Sequence, residues 1–111
     1  MAVKYKVLGQ LKPAAATLST LYTVPTGSEN YAVVSSLVIN NISTDSTDIR
    51  VAVRPAGASI EDKNYIIYGS VVAASSSQVY TIGITLASTD VVSVYDTNGK
   101  ASFNLFGSEN S

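Results

Sequence analysis

At 111 residues the chain has the length of one ordinary domain, long enough to fold around a single core. Its charge is nearly balanced, Lys+Arg 7 against Asp+Glu 8 for a net of −1, and charged residues are only 14% of the chain, which leaves no basic excess for nucleic acid. Cys 0 removes disulfides and thiolate chemistry, and His 0 removes the commonest general base and the commonest metal ligand.

Val, Ile, Thr and Tyr are abundant and Ser is the main spacer, a strand composition. Residues 3–8 read as the first strand, ending at Gly9. Residues 18–24 follow, stopped by Pro25-Thr26-Gly27, and 31–40 run into the polar stretch 41–47. Segment 48–54 alternates most cleanly, with Ile49, Val51 and Val53 opposite Asp48, Arg50 and Arg54, and ends at Pro55-Ala56-Gly57. Residues 58–63 form a loop or a single helical turn, 64–72 a strand and 73–77 a turn of small residues. Segment 78–86 puts Tyr80, Ile82, Ile84 and Leu86 on one face, and 90–95 and 100–106 are the last strands. Between these two, Asn98-Gly99 predicts a two-residue hairpin turn with positive φ at both positions and direct pairing of its flanks.

Eight short strands without room for helical crossovers predict an all-β fold, an antiparallel two-sheet β-sandwich of jelly-roll or immunoglobulin-like type. The lack of a Cys…Trp…Cys pattern disfavours a true immunoglobulin domain. Residues 1–111 are read as a single domain, with 1–16 an N-terminal arm able to reach a neighbouring subunit and 107–111 a flexible tail. The expected core is Ile49, Val51, Val53, Ile82, Ile84, Val92, Val94, Phe103 and Leu105.

No catalytic, cofactor-binding or metal-binding residue is assigned. Glu61-Asp62 is the densest carboxylate pair, but adjacent loop residues cannot face each other across a cleft, and a run of charge beside Lys63 reads as a solvated face. Asp45, Asp48 and the hydroxyls of 41–47 offer oxygens to a cation, yet the spacing matches no EF-hand loop, and side-chain-to-backbone bonding explains it better. Ser75-Ser76-Ser77 carries hydroxyls without a base. Tyr65, Tyr68, Tyr80 and Tyr95 read as core or sheet-face packing, with a sugar platform of Tyr31, Tyr65 and Tyr68 as the rarer use. The first six residues lack the apolar stretch of a signal peptide, and no run is long enough for a membrane helix, so no membrane partner is expected. Asn41-Ile42-Ser43 matches a glycosylation sequon, read as chance.

Several stretches carry a resemblance: Leu21-Tyr22-Thr23-Val24-Pro25, Arg50-Val51-Ala52-Val53-Arg54-Pro55-Ala56-Gly57, Thr89-Asp90-Val91-Val92-Ser93-Val94-Tyr95 and Ser102-Phe103-Asn104-Leu105-Phe106-Gly107-Ser108-Glu109. Through them the chain resembles small β-rich virion structural proteins of tailed phages, many from cyanophages, over most of its length. The resemblance implies a non-enzymatic virion component assembled in the host cytoplasm. Its partner would be the major capsid protein, as a capsid decoration (cement) protein, or else tail, neck, baseplate or fibre proteins. A carbohydrate-binding host-attachment module is the third reading. The low charge implies a homo-oligomer held by apolar and hydroxyl side chains, and the resemblance to shell proteins, with their three-fold sites, favours three copies.

Overall fold

The computed structural model describes residues 3–111. Nine strands form two antiparallel sheets: β1 (Val3–Leu11), β2 (Ser19–Thr23), β3 (Tyr31–Asn41), β4 (Thr47–Arg54), β5 (Tyr65–Val72), β6 (Ser76–Tyr80), β7 (Ile84–Ala87), β8 (Val91–Asp96) and β9 (Ala101–Asn110). Sheet A has the order β1-β9-β3-β6, with β7 pairing the other end of β3, and sheet B has the order β2-β8-β4-β5. The segment after β4 folds into two single 3-10 turns, Pro55–Gly57 and Asp62–Asn64.

β6 and β7 are two halves of one interrupted strand, since both pair with β3. Counted so, only β4–β5 joins neighbours within one sheet, and every other connection crosses the sandwich. That is the jelly roll. The immunoglobulin arrangement, which keeps several consecutive strands paired in one sheet, does not describe it. The antiparallel directions gather the connections 12–18, 42–46, 73–75 and 97–100 at one end, and 24–30, 55–64 and 88–90 at the other.

The core lies between the sheets. Leu37, Ile39, Phe103 and Leu105 of sheet A meet Ile49, Val51, Val92 and Val94 of sheet B, all fully buried. Two expected core residues, Val53 and Ile84, are partly buried against this cluster. Ile82 is a correction: it is 37% exposed. The strand expected over 78–86 breaks at Thr81-Ile82-Gly83, which carries no strand pairing, so the alternation cannot keep Ile82 on the inner face.

The hairpin at Asn98-Gly99 is a second correction. β8 belongs to sheet B and β9 to sheet A, so they do not pair. Gly99 has φ +66, whereas Asn98 does not adopt positive φ. The turn is an arch over the end of the sandwich. It is pinned by Thr97 N–H on Asp48 O at 3.1 Å and by Ala16 N–H on Asp96 O at 2.9 Å. A Cβ on Gly99 would stand 2.9 Å from Ala15 N. Gly99→Val should therefore cost ~1–3 kcal/mol, from the left-handed backbone alone. A thermal melt at the wild-type midpoint would contradict this assignment.

The C-terminal end also differs from expectation. The segment read as a flexible tail, 107–111, is strand as far as Asn110 and pairs with β1 on one side and β3 on the other. Gly107 permits this close pairing: a Cβ there would stand 2.1 Å from Val33 O. Of the expected arm 1–16, Val3–Leu11 is strand β1, which has a bulge between Val7 and Gly9 and pairs with β9 of its own chain. Residues 12–18 then cross to sheet B.

Candidate functional site

Two carboxylates that sequence reasoning passed over are buried. Asp96 ends β8 with no exposed surface. Its Oδ2 accepts the amides of Lys100 at 2.8 Å and Ala101 at 2.6 Å; its Oδ1 accepts that of Asn98 at 3.2 Å and the Thr47 hydroxyl. Glu109 on β9 accepts the Tyr22 hydroxyl across the sandwich, with Lys6 Nζ at 3.6 Å and Ser111 Oγ donating at 3.2 Å. The Tyr22 hydroxyl bond holds the Glu109 carboxyl below the usual carboxylate range, and burial works against this. The Tyr22 phenol is pushed well above its ordinary value, first by burial and then by the carboxylate. Both acids are engaged in bonds that fix the fold. The sequence signal for Asp96 was the Asp-Thr-Asn-Gly run, which ties an acid to a turn.

The weighed candidates take structural places. Glu61 and Lys63 form an exposed ion pair at 3.4 Å, and the Glu61 amide donates to Asn64 Oδ1 at 2.7 Å. Asp45 faces Lys100 at 3.9 Å, and Asp48 accepts the Thr97 hydroxyl at 2.8 Å. Among the described residues no three such groups converge on a cation position. Asn41 is fully buried, its side-chain amide donating to Asp45 O at 2.8 Å and Val72 O at 3.2 Å, so the sequon is folded into a turn. Ser75 takes φ +54 in the turn between β5 and β6, where Ser76 Oγ donates to Ala73 O at 2.7 Å.

The tyrosines divide between two unlike sheet faces. On the outer face of sheet B the Arg50 guanidinium lies between Tyr68 and Tyr95, with Cζ 4.3 and 4.2 Å from the ring centroids. Cross-strand register places them so, because Arg50 sits opposite Tyr95 on β8 and Tyr68 on β5. A stacked guanidinium of this kind is worth ~0.5–2 kcal/mol per ring. Tyr65 meets Tyr68 edge-on at 5.0 Å, and with Asp62 these two rings line a shallow depression. Tyr31 lies on sheet A, so the three tyrosines expected as one platform are split. Tyr80 packs against the core and its hydroxyl donates to Gln78 Oε1 at 2.7 Å.

The outer face of sheet A is uncharged, a mixture of apolar, hydroxyl and amide side chains. Register puts Tyr5, Ser108, Val33 and Thr85 in one row, and Val3, Asn110, Tyr31 and Ala87 in the next. Tyr5 is 89% exposed. In β1 the usual alternation is reversed: Val3, Tyr5 and Val7 face outward with the row of Ser108 and Phe106, while Lys4 and Lys6 lie on the side of buried Glu109. No outward position of the five strands carries Asp, Glu, Lys or Arg. No protein-family model matches the chain, and a search of curated proteins finds no match to it.

Proposed function

We propose that the chain is a non-enzymatic structural protein of a phage virion, seated on the assembled shell as a capsid decoration protein. It works there as a homo-oligomer. One observation carries the assembly reading: a whole sheet face whose outward positions hold no charged side chain. Solvated protein surfaces carry roughly 25–35% charged residues, so such a face suits permanent contact. The phage assignment is supported by the resemblance of the stretches around Arg50–Gly57 and Ser102–Glu109. It is further supported by the jelly roll, a fold that viral capsid proteins use, which is an argument by analogy.

Purified particles test this directly. The protein should appear on a stained gel in a fixed high ratio to the major capsid band, and its density should follow the shell lattice in a cryo-EM map. Presence in infected cells but absence from particles overturns the proposal. A band at the low copy number of tail parts places the protein in the tail, neck or baseplate instead.

A further inference from the structure

We infer that the outer face of sheet A binds the same face of another copy of this chain. The inference rests on the assembly reading above and narrows it: one patch that meets itself makes a two-fold contact, so copies pair as dimers through this face rather than close a ring of three.

Three observations point to a second copy rather than to an unlike partner. A face without charge can meet itself with no like charges opposed and no ion to desolvate. The face also carries both halves of a fit. Tyr5 projects from it almost fully exposed, beside a groove floored by Val33, Phe106, Gly107 and Ser108. Two cations stand at the β1 edge of the face, Lys4 and Lys6; Lys6 also borders the groove, and its ammonium lies 3.6 Å from the Glu109 carboxylate. Tyrosine is a residue type enriched where interfaces bind most tightly, because it brings large area at low entropy cost.

Size agrees. Four strands at ~4.8 Å spacing and a strand length of about ten residues at ~3.3 Å give each face on the order of 600 Å². Two such faces together cover about 1,200 Å², which clears the ~1,000 Å² expected of a specific interface. The reversed alternation of β1 points the same way. In a strand with only one core to serve, Val3, Tyr5 and Val7 would face inward and the lysines outward. Here the apolar side of β1 is turned toward a second layer.

The β1 edge itself is poorly suited to strand addition. Lys4 and Lys6 flank it and a bulge interrupts it after Val7, both devices that blunt sheet edges. Contact is therefore face to face.

Sedimentation of the full chain tests this at micromolar concentration, in about 0.1 M and about 1 M salt, between which the Debye length falls from about 10 to about 3 Å. Wild-type protein should sediment as an oligomer in both. Tyr5→Asp and Val33→Lys should each reduce the mass to the single chain of 11.6 kDa with an unchanged far-UV circular dichroism spectrum. Tyr5 packs against so little that its replacement spares the fold even if that of Val33 does not. Tyr68→Ala, on the opposite sheet, should leave the oligomer intact. A wild-type monomer in both buffers overturns the inference, as does dissociation at high salt or an oligomer that survives Tyr5→Asp and Val33→Lys, whatever Tyr68→Ala does. The two readings fail separately: an intact oligomer absent from virions removes only the virion assignment, and a monomer found on virions removes self-association and this interface but leaves the virion assignment.

Discussion

Asp96→Ala should lower stability by about 3–5 kcal/mol, the largest single effect expected of any polar side chain here, because removing a buried acceptor strands its donors. The Asp96 carboxylate takes the amides of Asn98, Lys100 and Ala101 and the hydroxyl of Thr47. Ala101 has no exposed surface, so its freed amide finds no water. The same carboxylate directs the chain from sheet B into sheet A, and without it the arch 97–100 keeps mainly peripheral bonds, the Thr97 hydroxyl on Asp48 at 2.8 Å and Lys12 Nζ on Gly99 O at 2.8 Å among them. Domains of this size have ~5–15 kcal/mol in total, so the loss is about a fifth or more of what exists. In a melt it should read as a fall in Tm of roughly 15 °C or more. Asp96→Asn should fall between the two proteins, because it keeps one acceptor oxygen and turns an N–H toward another donor. An Asp96→Ala midpoint within a few degrees of wild type would show that the arch does not depend on this group.

The strands were readable from the sequence because they alternate, and their partners were not. Ile49 and Val51 signal an inner face by their spacing alone, and both are fully buried. Asn98-Gly99 was misread because a local turn rule competes with a side chain: Asp96 supplies the acceptors that a hairpin partner strand would have supplied, and the chain crosses the sandwich instead. Residues 107–111 look like a polar tail. Yet Glu109 finds Tyr22 and Lys6, and Asn110 Nδ2 donates to Glu29 O at 3.1 Å, so their polarity is satisfied inside. These partners lie more than eighty positions away, beyond any local pattern. The outer face of sheet A was hidden for a related reason. Val3, Tyr5 and Val7 alternate with lysines as a core-facing strand would, and only the pairing with β9 shows which side is in. The Arg50 clamp needed the register of three strands at once.

Glu109 and Tyr22 should give the stability curve an edge at each end of the pH scale. Glu109 is depressed in the folded state, chiefly by the Tyr22 hydroxyl. Its contribution is thus complete above the unfolded carboxylate value of about 4.3 and is lost as pH falls through the lower folded value. Tyr22 is raised in the folded state. Its contribution is complete below the unfolded phenol value of about 10 and is lost as pH rises toward the higher folded one. A hydrogen bond to a buried charge is worth about 1.5–3 kcal/mol, which sets the gap between wild type and Glu109→Gln at pH 7. That gap should close as pH is lowered from about 5 toward 3, since wild type then loses the charge that the variant never had. Tyr22→Phe removes the hydroxyl from both limbs. It should abolish the alkaline loss above about pH 10 that belongs to this phenol and shrink the acid limb, leaving Glu109 only Lys6 and Ser111 as partners. Thermal melts at intervals from acid to alkaline pH measure all three curves. Parallel curves for wild type and Glu109→Gln across the acid range would mean that Glu109 carries the same proton load folded and unfolded, and the cross-sandwich bond would then have no part in the pH response.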